Sequence, residues 1–220
     1  MKQGKLIVIE GACDGIGKST QFDLLCKYFE DKGEKVVKHH FPTYESYQGE
    51  GAKRYLKGEF GDKEKLSPFF VNTLYAFDRA ITWQSELKVP YEEGKTIVLD
   101  RYTTSSMIYQ PYNMTEEERD YFLEYAEDYE YKKIGVKKPD IVIFLTADYD
   151  LVCNLREKRN EDMEEDIHER DKAFMKKVYD NANYVAKRLG WTIINCDSNN
   201  SFKSIEDIHK EIVEKIKENN

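Results

Sequence analysis

Five short apolar runs alternate along the chain with longer segments in which apolar residues recur at helical spacing. The runs are residues 6–9, 36–41, 96–99, 141–145 and 191–194. Runs of this length between helical segments are typical of buried parallel strands joined by crossover helices. The pattern therefore predicts an α/β fold in which a parallel sheet carries helices on both faces.

The helical segments place their apolar residues on single stripes, which we interpret as core. In the first segment Leu25 and Phe29 lie on the stripe, and Gly33 is expected to be the C-cap. A further helix is predicted over residues 67–87. Thr115 and the three glutamates after it predict another helix start, because the hydroxyl can cap free amides and the acids suit the positive helix end.

Composition narrows the class of protein. The chain has 220 residues, a formal net charge of −8 and 35% charged residues of both signs, which argues against a general nucleic-acid or membrane-surface protein. No apolar run is long enough to span a membrane and the first residues carry no signal-peptide pattern, so we expect a soluble cytoplasmic protein. The length and the absence of a linker predict one domain over 1–220. The four cysteines are widely spaced and are expected to be free thiols.

A glycine-rich stretch directly follows the first apolar run, and residues 10–20 read EGACDGIGKST. A glycine-rich turn followed by Lys and a hydroxyl residue at a helix start binds phosphate through its backbone amides. In the usual spacing the first glycine would stand at position 12, where this chain has Ala12. Either Ala12 takes the place of that glycine, or the loop begins at Gly11 and is one residue longer. Both alternatives predict a phosphate-binding loop.

Further candidate residues follow the other strands, because ligands of open α/β sheets gather at the carboxyl ends of the strands. Asp100 directly follows the third predicted strand, where a phosphate-loop enzyme holds Mg²⁺, and Arg101 beside it can grip a phosphate with two hydrogen bonds. Tyr75 and Arg79 share one face of the helix over 67–87 and could stack on and hydrogen-bond a base, although a core aromatic ring with a snorkelling arginine is the commoner outcome for such a pair.

A polar stretch after the fourth predicted strand is poor in apolar residues and spans about 156–168. It is expected to be a solvated, mobile connection between two helices. It could be a lid over a bound nucleotide or simply a charged helix end, and its charge pattern alone leaves both readings open.

In order and spacing, these motifs resemble those of the thymidylate kinase family over nearly the whole chain. The most specific part is DRYTTSSMIYQ over residues 100–110, supported by Phe41-Pro42 and by Lys138-Pro139-Asp140. The resemblance implies a three-layer P-loop NTPase fold with a five-stranded parallel sheet flanked by helices and a short mobile lid. It also implies a homodimer packed through helices, and an ATP-dependent kinase that uses Mg²⁺ and converts dTMP to dTDP.

The resemblance also implies roles at the phosphate end. Lys18 would bridge the β and γ phosphates of ATP, and Ser19 would help to hold Mg²⁺. Asp100 would organise the metal and its waters, Arg101 would grip the acceptor phosphate, and Asp14 would contact the sugar 3′-hydroxyl. The ATP-binding loop consists of Gly15, Ile16, Gly17, Lys18, Ser19 and Thr20.

At the other end, the resemblance places the acceptor nucleoside. Tyr75 matches the ring that stacks on thymine and Arg79 the residue that reaches its carbonyl edge. Ser106 and Gln110 lie where family members contact the base or the nearby helix, and Tyr109 matches the ring beside the sugar 2′ position. Tyr44 is a weaker match near the acceptor phosphate. Ile108 stands where the family usually has Ala, and its bulk is expected to reshape the packing behind the base.

Family members carry a catalytic arginine either in the phosphate loop or on the lid. This loop has none, whereas the polar stretch offers Arg156 and Arg159, so the chain is similar to the lid-arginine kind. Catalytic roles are thereby implied for Lys18, Asp14, Arg101, Asp100, Arg156 and Arg159. Two alternatives stay open: a deoxynucleoside kinase, whose hydroxyl acceptor needs a carboxylate base, and a P-loop ATP switch that signals to a partner.

Overall fold

Five parallel strands form the central sheet of the computed structural model, which describes residues 3–157 and 172–218. The strands are β1 (Lys5–Gly11), β2 (Val36–His40), β3 (Thr96–Asp100), β4 (Ile141–Thr146) and β5 (Thr192–Asn195). Their order across the sheet is β2-β3-β1-β4-β5, and every neighbouring pair is parallel. All five strands predicted from the apolar runs are confirmed, with small differences at their ends.

Helices connect these strands. They are α1 (Lys18–Asp31), α2 (Glu50–Leu56), α3 (Pro68–Thr82), α4 (Lys88–Glu92), α5 (Thr103–Tyr109), α6 (Glu116–Ala126), α7 (Tyr149–Glu157), α8 (Lys172–Arg188) and α9 (Ile205–Glu218). Two wider π-helical segments, Trp83–Leu87 and Glu127–Ile134, follow α3 and α6 directly. A small hairpin of β6 (Asp197–Ser198) and β7 (Ser201–Phe202) precedes α9 and was not predicted. The helix predicted over 67–87 is therefore α3 extended by one π-helical segment.

The central strand is covered by helices on both faces, which explains why its sequence is continuously apolar. Ile7 and Ile9 lie in one buried cluster with Leu25 of α1. Leu6 and Val8, whose side chains point to the opposite face, lie in a second cluster with residues of the π-helical segment after α3. The three-layer arrangement expected from the sequence is thus confirmed.

Strand β1 lies between β3 and β4, so the chain reverses its direction of travel across the sheet beside β1. The phosphate-loop stretch leaves the carboxyl end of β1, and the amide of Arg101, just after β3, bonds to the carbonyl of Ile9 at 3.2 Å. Such a topological switch point forms a crevice outside the strand ends, where α/β proteins bind ligands. The fold thereby brings the two main sequence motifs together.

Two helix ends agree with the sequence analysis. Thr115 and Glu118 form a complete capping box at the start of α6, and Gly33 follows α1 with a φ of 78°.

The predicted lid over 156–168 lies almost entirely outside the described residues. Within the described ranges, no helix is long and apolar enough to cross a bilayer.

Candidate active site

The phosphate loop begins at Gly11, as the geometry around this residue shows. A Cβ on Gly11 would lie 2.9 Å from the Ile16 side chain, closer than real Cβ contacts, so the turn requires glycine here. Ala12 does not adopt a positive φ; its amide instead bonds to the Leu145 carbonyl at 2.9 Å and continues the pairing of β1 with β4. Of the two alternatives left open by the spacing, the structure supports the loop that is one residue longer. Gly17, with a φ of 94°, then leads into α1.

At the start of α1, Lys18 reaches across to the end of β3. Its ammonium forms a buried ion pair with Oδ1 of Asp100, and Nδ1 of His40 lies 3.0 Å from Oδ2 of the same carboxylate. Burial opposes ionisation of Asp100, but the hydrogen bond with His40 and the charge of Lys18 outweigh it and lower its pKa from 3.8 to about 2. Asp100 is therefore a fixed negative charge at neutral pH.

Arg101 forms a second ion pair beside the first. Its Nη2 donates to Oδ1 of Asp14 in the loop, and its Nη1 lies 3.8 Å from the buried carboxylate of Glu10. The guanidinium also lies over the ring of Tyr109, 5.5 Å from the centroid. Burial would lower the pKa of Arg101, but the charge of Asp14 raises it well above its ordinary value. Arg101 has a φ of 66°, uncommon for a residue with a side chain and most frequent at functional sites.

A cavity of about 630 Å³ opens at these ion pairs and extends between α3 and α5. Ten of the residues proposed from the sequence line it: Asp14, Lys18, Ser19, Tyr44, Tyr75, Arg79, Arg101, Ser106, Tyr109 and Gln110. Asp100 lies directly behind Lys18. The fold therefore gathers both the phosphate motifs and the aromatic-arginine motif around one cleft, long enough to separate a charged end from an aromatic end.

The aromatic end is built by α3 and α5. The ring of Tyr75 is held edge-on by Tyr55, with centroids 6.2 Å apart. Arg79 donates through Nη2 to Oγ of Ser106 at 2.9 Å. The Ile108 side chain is fully buried in the core and does not line the cavity, so its bulk is accommodated by the core instead of the space behind a base.

Several predicted site residues lie elsewhere. Thr20 is exposed on the first turn of α1 and does not line the cavity, whereas the backbone of Gly15 and Ile16 belongs to the loop beside it. The backbone of Arg156 lies in the last turn of α7, but its side chain falls outside the described part of the structure. Arg159 lies outside the described residues altogether.

The structure adds three residues that the sequence analysis had not placed in the site. His40 contacts Asp100 because the parallel register of β2 and β3 aligns their last residues. Glu10, fully buried, accepts hydrogen bonds from Thr104, at 3.0 Å, and from Ser105. Glu130 accepts two hydrogen bonds from Arg79. The parallel register could have indicated His40 once the strand order was known, but no local pattern pointed to Glu130.

The parallel sheet, the glycine-rich loop at its switch point and the adjacent Lys18–Asp100 pair define a P-loop nucleotide-binding protein of the α/β class. A family model described as thymidylate kinase matches residues 9–212. The chain therefore belongs to the thymidylate kinase family, and the kinase activity on dTMP expected from the sequence is confirmed.

Individual relatives agree with this assignment. The chain is 30% identical over 217 residues to a thymidylate kinase of Plasmodium falciparum, covering 98% of this chain and 90% of that protein. It is 27% identical over 215 residues to a thymidylate kinase of Danio rerio, covering 96% and 89%. The thymidylate kinase structure from Candida albicans shares the fold, with a TM-score of 0.73 and 23% identity over 99% of this chain and 92% of that one.

Proposed function

We propose that the cleft transfers the γ-phosphoryl group of ATP to dTMP, giving dTDP and ADP, with the two nucleotides meeting at Lys18 and Arg101. The observation that carries this proposal is the pair of neighbouring ion pairs at the ends of β1 and β3, each combining one cation with one carboxylate. A phosphoryl group in transfer is an anion, and two positioned cations at one point stabilise the charge that spreads over its oxygens.

The donor end belongs to the phosphate loop. Lys18 bridges the β and γ phosphates, while the loop amides before α1 bind them from the other side. Mg²⁺ prefers oxygen ligands and is held by few protein groups together with substrate phosphates. The hydroxyl of Ser19 and the ionised carboxylate of Asp100 fit that requirement. When bound, the metal would neutralise part of the phosphate charge, and Asp100 and Ser19 would orient it and its waters.

The acceptor phosphate lies at Arg101. This guanidinium is 17% exposed and already pairs with Asp14, so an incoming phosphate can share its donors while Asp14 turns to the sugar 3′-hydroxyl. A phosphate oxygen is ionised at neutral pH and needs no general base to accept the phosphoryl group. Tyr109, which lies under Arg101, would then face the sugar 2′ position, and Tyr44 would lie near the acceptor phosphate.

The base lies at the aromatic end of the cleft. Tyr75 stacks on it, and Arg79 with Ser106 donates hydrogen bonds to its oxygen at position 4. Gln110 also lines the cavity, and its Oε1 is buried without a hydrogen-bond partner among the described residues. The N3–H of thymine supplies the donor that this buried acceptor needs.

The roles of the lid arginines, the domain organisation and the location of the protein are also proposals. One of Arg156 and Arg159, carried by the lid over 156–168, reaches the transferring group after ATP binds and helps to exclude water. Residues 1–220 act as one domain, supported by the single sheet that both ends of the cleft share. The cytoplasmic location stays a prediction from the sequence.

A homodimer is proposed through the outer face of α3. Phe70 and Phe77 stand two turns apart on this helix and are 41% and 51% exposed, and Tyr121 of α6 is 64% exposed. Large exposed aromatic side chains on one face are typical of protein interfaces. Light scattering on the purified protein measures its mass, and a Phe77→Glu variant that remains a dimer would contradict this face as the interface.

A nucleotide panel tests the proposed function. With ATP and Mg²⁺, we expect much faster turnover of dTMP than of dUMP, CMP or AMP, and equal rates would remove the specificity. Thymidine measured in the same assay distinguishes a deoxynucleoside kinase, because only that enzyme would phosphorylate a nucleoside hydroxyl. ATP hydrolysis that does not depend on dTMP would instead favour a P-loop switch.

A further inference from the structure

Arg79 at the base end of the cleft is held by a buried carboxylate. Its Nε donates to Oε2 of Glu130 at 2.6 Å and its Nη2 to Oε1 at 2.7 Å, a two-point contact. The side chains are 3% and 0% exposed. Bidentate contacts of this kind fix the plane of the guanidinium as well as its position. Glu130 therefore sets the direction in which the remaining N–H groups of Arg79 point.

Glu130 lies where the backbone departs from ordinary α-helical geometry. It lies in the π-helical segment Glu127–Ile134, which ends at Gly135 with a φ of 82°. The amides of Gly135 and Val136 both donate to the Glu130 carbonyl, at 3.0 and 3.1 Å. A second donor from the start of α5, Thr103, bonds to Oε2 at 3.1 Å. Wide helical turns are rare and are found frequently at functional sites. The Glu130 carboxylate is bonded to Arg79 and Thr103, and its backbone carbonyl accepts from two amides.

The direction of the hydrogen bonds in this network is fixed, because arginine has five donors and no acceptor. With Nε and one Nη2 proton on Glu130, the second Nη2 proton has Oγ of Ser106 as its nearer acceptor, at 2.9 Å, and Oδ1 of Asn72 as a longer one, at 3.4 Å. Nη1 donates to the Tyr102 carbonyl at 3.4 Å and keeps one further proton. Since Ser106 accepts from Arg79, its own hydroxyl proton must be donated elsewhere, and no acceptor for it lies among the described residues.

We propose that Glu130 is a positioning residue that makes the base end of the cleft selective for pyrimidines with an oxygen at position 4. By clamping Arg79, it turns both Arg79 and Ser106 into donors toward the cavity. A 4-oxo base presents an acceptor there and an N3–H to the buried Oε1 of Gln110, whereas cytosine presents an amino donor and an unprotonated N3. Cytosine would thus place its amino donor against the donors of Arg79 and Ser106. Leaving these buried donors without acceptors costs binding free energy.

This inference rests on the proposed function and goes beyond it by assigning the selectivity to a residue that does not touch the nucleotide. Its test is the isosteric variant Glu130→Gln, assayed with dTMP, dUMP and dCMP. We expect the KM for dTMP to rise while kcat changes little, since Arg101 and Lys18 are untouched. The ratio of kcat/KM for dTMP to that for dCMP should fall about tenfold or more, the size of one charged hydrogen bond.

A purely structural ion pair would behave differently. If Glu130→Gln lowers kcat/KM for all three nucleotides by the same factor, the proposal is overturned. Thr103→Val is the matched control, because it removes a donor to the same carboxylate but leaves the contact between Glu130 and Arg79 in place. Ile212→Ala changes a fully buried residue of α9 in another part of the core, and gives a variant of lowered melting temperature whose dTMP to dCMP ratio should not change.

A second variant keeps the proposal testable if Glu130→Gln does not fold. Ser106→Ala removes the hydroxyl, and with it one acceptor of Arg79, but leaves the ion pair between Arg79 and Glu130 in place, and the same fall in the dTMP to dCMP ratio is expected. An unchanged ratio in Ser106→Ala would contradict the proposal. Where both variants fold, the double variant should lose no more selectivity than Glu130→Gln alone, because both act through Arg79. A wild-type protein that does not phosphorylate dTMP would instead refute the proposed function itself.

Discussion

The two ends of the cleft each contain arginine bound to a carboxylate, but they hold these pairs in different ways. At the phosphate end the Arg101 and Asp14 side chains are 17% and 35% exposed, at the mouth of the cavity. At the base end the Arg79 and Glu130 side chains are 3% and 0% exposed. Breaking a buried pair leaves an unpaired charge without water, whereas an exposed pair can exchange partners at little cost.

This difference matches what each end has to do. A phosphate arrives, reacts and leaves, so the cations that bind it need partners that they can give up. A base is only recognised, so its recognition groups benefit from a fixed geometry. The comparison indicates that exposure, more than charge, distinguishes an ion pair that exchanges partners during the reaction from one that fixes the position of a side chain.

The largest expected effect is at the exchangeable pair. Arg101→Ala should cost about 2 to 5 kcal/mol of transition-state stabilisation, because the acceptor phosphate bound in the cleft would lose its partner in a desolvated charge pair. This corresponds to a fall in kcat/KM of roughly 30-fold to several thousand-fold. The fall should be equal for dTMP and dUMP, because Arg101 grips only the phosphate. Steady-state kinetics measure it.

The control for this prediction is Arg54→Ala. Arg54 is also paired with a carboxylate, that of Glu50, but its side chain is 56% exposed on α2 and does not line the cavity. Its removal should leave kcat/KM unchanged. A near-normal rate for Arg101→Ala would show that this arginine does not bind the acceptor phosphate, and the contrast between the two ends would then lose its functional meaning.

The lid arginines come next in size. We expect single substitution of Arg156 or Arg159 by Ala to reduce kcat about 100-fold for whichever residue reaches the transferring group, while the affinity for ATP changes little. Single-turnover kinetics and ATP titration separate the two quantities. Lys158→Ala, which removes a cation from the same stretch, is the control. Unchanged turnover in both arginine variants would mean that this stretch is solvated surface.

A smaller effect concerns the pH dependence of stability at the phosphate end. The folded-state pKa of Asp100 is about 2, below its ordinary value of 3.8. A carboxyl group with a lowered folded-state pKa stabilises the fold fully above its unfolded-state value and loses that contribution as the pH falls toward the folded-state value. Asp100 should therefore contribute about 2 kcal/mol that disappears between about pH 4 and pH 2.

Chemical denaturation at pH 5 and at pH 2.5 tests this contribution. The free energy of unfolding of the wild type should fall more over this interval than that of Asp100→Asn, which cannot titrate at this position. Glu118→Gln at the start of α6 is a useful second comparison, because the pKa of this exposed carboxyl is also lowered, by hydrogen bonds from Thr115. Parallel curves for wild type and Asp100→Asn would contradict the pairing of Asp100 with Lys18 and His40.

The sequence was sufficient to predict the phosphate end because that end is local. Lys18 and Ser19 follow one strand directly, and Asp100 and Arg101 follow another, so apolar runs and short motifs locate them. Even the extra residue in the phosphate loop was visible as an alternative from the spacing. The structure then supported the longer loop, since a Cβ on Gly11 would lie 2.9 Å from the Ile16 side chain, whereas Ala12 carries its Cβ without a positive φ.

The base end could be predicted only in part, because its key contact joins residues far apart in the chain. Tyr75 and Arg79 are found from their shared helix face, but Arg79 and Glu130 are 51 positions apart. The π-helical geometry that carries Glu130 leaves no mark in the periodicity of apolar residues, which continues from α6. The contact of His40 with Asp100 was missed for a related reason, since it depends on the order of the strands.

The smallest expected effect concerns α6, which lies in the connection before β4. The geometry of the base end could depend on this whole connection or only on the buried pair of Arg79 and Glu130. Thr115→Ala removes the cap at the start of α6 and should cost about 1 kcal/mol of stability. Glu130 is held by Arg79, Thr103 and its own backbone contacts, so the dTMP to dCMP ratio should stay at the wild-type value. Urea unfolding and the two-nucleotide assay give both numbers. A changed ratio would mean that fraying at the helix start reaches Glu130, in which case the base end is no more fixed than the phosphate end.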